Sequence, residues 1–230
     1  MIIFDQVTKK YPSGDIVLDN VSFHIKPAEL VILTGPSGAG KTTIGRILID
    51  DLHPDEGRVE IDGADTSKLK GKDIPLLRRK IGVVFQDYKV IPDKTIHENI
   101  ALALEIINFD HTQINQRVTH LLELVGIPTK GNLFPQQLSG GELQRAAIAR
   151  AIVGEPKILF ADEPTGNLDE KTSKDIFNLL KQLNNMGTTV IMSTHNQNFL
   201  TGERHIHLEK GKITIDSQTS HPDKISKKKK

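Results

Sequence analysis

The 230-residue chain has no cysteine, which excludes disulfides and thiolate metal sites and suits a reducing compartment. Its formal net charge is only +1, so there is no broad basic field to hold nucleic acid. Long apolar runs are missing as well. Stretches such as Leu30–Leu33 and Ile100–Leu104 fall far short of the ~20 residues that cross a bilayer, and any membrane role is expected to come through a partner. Met1 to Val7 reads as the start of a strand rather than as a secretory leader. No internal repeat is present. What remains is ordinary globular composition, 37% hydrophobic and 26% charged, enough for one substantial core or a core with a grafted subdomain.

Short apolar runs alternate with helical patterns. Strands are predicted at Val31–Leu33, Val59–Ile61, Ile81–Phe85, Ile158–Ala161 and Val190–Met192, and a hairpin at His205–Ile215 turning on Lys210 and Gly211. Ile44, Ile47, Leu48 and Leu52 recur at helical spacing. So do Ile114, Val118, Leu121, Leu122 and Val125, before Gly126 and Pro128 stop that helix. The alternation predicts an α/β domain with a mainly parallel central sheet over residues 1–216, carrying a helical lobe at about 92–153. Residues 217–230 have almost nothing to bury and end in four lysines, so they read as a solvated, disordered tail. Attraction of those lysines to anionic lipid is the alternative, though a small basic patch alone anchors poorly.

The segment Gly35-Pro36-Ser37-Gly38-Ala39-Gly40-Lys41-Thr42, followed by Thr43, matches the Walker A pattern in full, with a strand before it and a helix after it. Glycines let consecutive backbone N–H groups curve around a phosphate that side chains would block. The helix N-terminus adds unpaired N–H groups and a favourable dipole. Lys41 can reach the β- and γ-phosphates, and the Thr42 hydroxyl can ligate Mg²⁺. A ligand-free glycine turn would not need all eight residues in this context. Ile158–Ala161 then leads into Asp162 and Glu163, as a Walker B strand does. Asp162 is placed to hold Mg²⁺, and Glu163 to orient and deprotonate the attacking water.

Between these motifs lies Leu138-Ser139-Gly140-Gly141-Glu142. Ser139 and Glu142 are spaced as a capping box, yet Gly140 and Gly141 are then poor choices, since glycine costs ~1 kcal/mol against alanine inside a helix. Both facts fit a helix N-terminus that presses closely on a phosphate. With this segment in place the chain resembles the ABC ATPases through Ile215. That resemblance implies a P-loop fold with an antiparallel β subdomain and a helical subdomain, and a head-to-tail homodimer on ATP binding. In that dimer Ser139, Gly140, Gly141 and Glu142 reach the nucleotide on the opposite subunit. It also implies that Tyr11 stacks on adenine, that Gln86 touches Mg²⁺ and reports to a membrane partner, and that Asp169 of Gly166–Asp169 crosses the dimer seam. His195 is implied to hold the γ-phosphate and position Glu163. Leu143 departs from the glutamine common in the family at that place, which alters packing without removing a phosphate contact.

The stretches Phe85–Glu105, Ala161–Asp169 and Asp73–Arg79 look like the cell-division ATPases of the FtsE family. This implies an FtsX-like integral membrane partner, further division proteins, control of cell-wall hydrolysis, and a place on the cytoplasmic face of the bacterial inner membrane. The motor of a macrolide-export or lipoprotein-release system is the nearest alternative, and an ATP-dependent division scaffold with little hydrolysis is a second. Tyr88, Val90 and Ile91 are expected to be exposed, either touching the partner or capping the core.

Overall fold

The computed structural model describes residues 1–218, so most of the C-terminal tail, with its four lysines, lies outside the described residues. The chain builds two sheets. Strands β1 (Ile2–Lys10), β2 (Ile16–Ile25), β4 (Glu56–Ile61) and β5 (Ala64–Asp65) form an antiparallel sheet in the order β2-β1-β4-β5. A six-stranded sheet has the order β10-β9-β3-β8-β7-β6, from β3 (Leu30–Thr34), β6 (Ile81–Val84), β7 (Ile158–Asp162), β8 (Thr189–Thr194), β9 (Arg204–Glu209) and β10 (Lys212–Asp216). Its strands run parallel except for β10, which closes the C-terminal hairpin. The helices are α1 (Lys41–Leu48), α2 (Ile74–Arg79), α3 (Ile96–Glu105), α4 (His111–Leu124), α5 (Gly140–Ile152) and α6 (Glu170–Asn185). The Asp62 carboxylate ties the sheets together, accepting from Lys80 at 2.8 Å and Lys157 at 3.0 Å.

Successive side chains on a strand face opposite ways, and both faces of the larger sheet are covered. Leu30 and Ile32 of β3, Leu159 and Ala161 of β7, and Val190 and Met192 of β8 join one cluster with α3, α4, α5 and α6. Val31 and Leu33, Ile158 and Phe160, and Ile191 join a second cluster with α1 and the antiparallel sheet. Burial on both sides is why these strands read as unbroken apolar runs. Helix α1 lies so close to β7 that a Cβ on Gly45 would fall 2.2 Å from the Phe160 ring.

The predicted strands and the hairpin are present, with local differences. Helix α1 stops at Leu48, short of Leu52, because Asp50 takes the left-handed conformation (φ 56°) and the Arg46 carbonyl then accepts from both Asp51 and Leu52. Strand β6 ends one residue before Phe85. Tyr88, Val90 and Ile91 are half-buried rather than exposed, and Tyr88 packs on the first cluster. Helices α3, α4 and α5 share that cluster with the sheet, so the stretch 96–152 and the sheet have one continuous core.

Candidate nucleotide-binding site

The loop between β3 and α1 wraps one end of a cleft of about 690 Å³. Ser37 to Thr43 line it from the loop and the start of α1, Tyr11 from the β1–β2 connection, Val17 from β2, and Gln86, Glu163 and His195 from just beyond the ends of β6, β7 and β8. Ligands of parallel α/β sheets sit outside the carboxyl ends of the strands, and here the chemistry-bearing side chains gather there. Gly40 caps α1 with φ 106°. A side chain there would meet Leu18 and the Val17 carbonyl at 2.7 and 2.8 Å, so both conformation and space call for glycine.

Lys41 is 6% exposed. Its ammonium donates to the carbonyls of Gly35 (2.7 Å) and Pro36 (3.1 Å) and lies 3.3 Å from Glu163 Oε1. Glu163 Oε2 in turn sits 2.8 Å from His195 Nδ1. One carboxylate thus spans the loop lysine and the histidine at the end of β8. Glu163 itself has φ 47°, an uncommon conformation for a residue with a Cβ, and it re-aims the chain out of β7. Below it, Asp162 accepts from the Thr42 hydroxyl at 2.8 Å and the Ser193 hydroxyl at 2.6 Å.

Tyr11 stands at the cleft edge with its hydroxyl 3.4 Å from that of Thr43. Gln86 forms the opposite wall; a methyl group added to Gly166 would touch its amide nitrogen at 3.5 Å. Among the described residues no cluster of three or more His, Cys, Asp or Glu side chains could hold a metal. That agrees with the donor set here, since Mg²⁺ in phosphate-transfer sites is held by one or two protein oxygens together with the phosphates. The Thr42 hydroxyl and Asp162 carboxylate, already in contact, fit that requirement.

Ser139, Gly140, Gly141 and Glu142 do not line this cleft, and neither does Asp169. Ser139 caps α5 in a capping box with Glu142, whose carboxylate accepts from the Ser139 amide at 2.9 Å and hydroxyl at 3.0 Å. Lys130 adds an ion pair at 2.9 Å. Asp169 caps α6 through Thr172. The two caps pack together. A Cβ on Gly141 would lie 2.6 Å from Thr172 Cγ2, and one on Gly140 would lie 3.5 Å from Leu168. The small residue at Gly141 therefore has a reason within the chain, besides the phosphate contact expected from sequence.

Sequence reasoning missed Val17 and Ser193. Val17 lies far from any motif. Ser193 interrupts an apolar strand two residues before His195, which was the one available signal.

The ABC transporter family profile matches residues 18–166. The chain belongs to the ABC transporter family. It is similar to the Cell division ATP-binding protein FtsE of Streptococcus pneumoniae, 50% identical over 212 residues and covering 91% of this chain and 92% of that one. Identity to the protein of the same name is 46% over 218 residues in Bacillus subtilis (94% and 96% covered). In Escherichia coli it is 43% over 201 residues (87% and 90% covered). Among solved structures, a dimeric ATP-binding cassette in a post-hydrolysis state bound to ADP and Pi superposes with TM-score 0.86 at 38% identity, covering 94% of this chain and 97% of that one. A dimeric bacterial ABC transporter cassette gives 0.87 at 40%, with the same coverage. The fold and the ATP hydrolase activity are those of an ABC ATPase.

Proposed function

We propose that this ABC ATPase serves cell division as the ATP-hydrolysing subunit of an FtsEX-type complex. Its site residues act as follows. Ser37 to Thr43 cradle the phosphates, Lys41 exchanges its loop carbonyls for the β- and γ-phosphates, and Tyr11 stacks on the base. Thr42 and Asp162 would hold Mg²⁺, with Gln86 as a further oxygen donor, and the bound ion would supply positive charge against the phosphate oxygens. Glu163 accepts the proton of the attacking water, and His195 orients Glu163 and contacts the γ-phosphate. The products are ADP and phosphate. The observation that carries this reading is the single Glu163 carboxylate held between Lys41 (3.3 Å) and His195 (2.8 Å) at the mouth of the phosphate loop.

Ser139–Glu142 and Asp169 complete the site of a second copy in a head-to-tail homodimer. Their placement away from the chain's own cleft supports this, as do the dimeric cassettes it resembles. The membrane partner is FtsX-like. Through that partner the chain sits on the cytoplasmic face of the inner membrane; no helix among the described residues is long and apolar enough to cross a membrane. Beside β6 and the Gln86 turn lies a groove of about 510 Å³. Phe85, Ala103 and Ile107 line it together with Arg78, Arg79, Lys89 and Arg150, a surface suited to an amphipathic, acidic segment.

The Glu163→Gln variant tests both levels. It should bind ATP as the parent does, lose at least about 100-fold in turnover, and form a dimer on ATP that persists in size-exclusion chromatography. Unchanged turnover would remove Glu163 from its catalytic role. Captured from native membranes with ATP, the same variant should bring down an FtsX-like protein with division components. Recovery of a larger export or lipoprotein-release permease would keep the nucleotide site and overturn the division role.

A further inference from the structure

We propose that the Ser193 hydroxyl is a positioning group for ATP hydrolysis, fixing Asp162 and Glu163 together from the neighbouring strand. The proposal rests on the assignment of Asp162 to the metal and Glu163 to the attacking water. Ser193 is paired with Asp162 in the parallel register of β7 and β8 and is fully buried. A serine hydroxyl offers one donor and two acceptor lone pairs, and two of these capacities are used. It donates to Asp162 Oδ1 at 2.6 Å, a length typical of O–H bonds to a carboxylate, and accepts from the Glu163 amide at 3.0 Å.

Each of these bonds falls on an atom that matters. Thr42 donates to the other Asp162 oxygen at 2.8 Å, so the two hydroxyls hold both carboxylate oxygens and set the plane of the group. The Glu163 amide belongs to the residue in the left-handed conformation (φ 47°), and the Ser193 carbonyl also accepts from it, at 3.2 Å. Ser193 therefore grips the turn that points the Glu163 side chain between Lys41 and His195. The preceding strand residues, Val190, Ile191 and Met192, are apolar and buried. An alanine would satisfy packing there, whereas a buried hydroxyl is tolerated only when its hydrogen bonds are made.

The test compares Ser193→Ala and Ser193→Thr with the parent full-length chain. Readouts are kcat and KM for ATP, melting temperature, and binding of a fluorescent ATP analogue with graded Mg²⁺ and in EDTA. Loss of the hydroxyl should lower kcat and raise the Mg²⁺ needed for half-maximal binding by about 10- to 100-fold, the range seen when groups behind a metal ligand are removed. Binding in EDTA should be unchanged, and Ser193→Thr, which keeps a hydroxyl, should recover both properties. A Ser193→Ala variant within twofold of the parent in kcat and Mg²⁺ dependence overturns the proposal. So does a Ser193→Thr variant that melts like the parent and is as impaired as Ser193→Ala. If Ser193→Thr does not fold, the Mg²⁺ readout of Ser193→Ala decides alone. Glu163→Gln run in parallel separates the two levels: normal turnover in it sinks the underlying site assignment, whereas its inactivity beside an unaffected Ser193→Ala sinks only the role of Ser193.

Discussion

Gly141 shows how one residue answers to two demands. Alanine at a helix position gains up to ~1 kcal/mol over glycine, but its Cβ would press on Thr172 Cγ2 at 2.6 Å, and overpacking of this kind costs about 1–3 kcal/mol. Gly141→Ala should therefore lower stability by about 1 kcal/mol in denaturant unfolding, the clash outweighing the propensity. In a Thr172→Ser background, which removes the methyl group and keeps the hydroxyl bonded to Asp169, the same change should be neutral or stabilising. Local sequence could not show this, because the packing partner comes from another helix. The phosphate loop was legible for the opposite reason: eight consecutive residues do their work on one another. Ser193 stayed hidden because its meaning depends on which strand lies beside β8.

At the scale of elements, the start of α5 is held by charge as well as by hydrogen bonds. The Ser139 amide, then Lys130 and the Ser139 hydroxyl, hold the Glu142 carboxyl at about 2, down from 4.5. A depressed carboxyl stabilises the fold above its unfolded value, and that contribution is lost as pH falls through the folded value. Comparison with Glu142→Gln, which keeps a capping side chain, isolates the charge. The stability difference between parent and variant should stay constant from pH 7 to about 4.5 and shrink between there and pH 2, as followed by thermal unfolding. The segment after Gln86 is similarly pinned. Arg150 of α5 donates to the carbonyls of Tyr88 (2.7 Å) and Lys89 (2.6 Å), both left-handed residues. Buried Asn99 of α3 accepts from the Ile91 amide at 2.7 Å, and its own amide lies 2.9–3.1 Å from the carbonyls of Ile91, Lys94 and Thr95. The capping box of Thr95 and Glu98 fixes the start of α3 in the same way. Helix patterns and caps were readable in the chain; the long-range ties that Arg150 and Asn99 make to an irregular loop were not, since no periodicity marks them.

For the whole molecule, strand identity was legible but strand order was not. Nothing in β3 says that β8 will lie beside it and β7 beyond, and that order is what brings His195 and Glu163 to the phosphate loop. The separation of the Ser139 helix from the loop leads to a mixing experiment. A Lys41→Ala chain and a Ser139→Arg chain should each be inactive, one lacking the phosphate grip and the other the opposing cap. In a head-to-tail mixed dimer one site collects both lesions and the other collects neither, so combining the two inactive proteins should restore measurable ATP hydrolysis. Additive inactivity in the mixture would argue that each chain completes its own site.

The six-stranded sheet divides the apolar interior, with Ile44 and Ile47 behind the phosphate loop on one side and Ile100, Val118 and Ile148 of α3, α4 and α5 on the other. Side chains across such a partition share few neighbours, so their effects combine independently, whereas those on one side are coupled. In a genetic screen this division becomes visible as two classes of alleles. A defect at Ile47 would find its second-site suppressors around α1 and the antiparallel sheet, and one at Val118 would find them among α3, α4, α5 and α6. The map of compensating changes would then redraw the sheet without any coordinates.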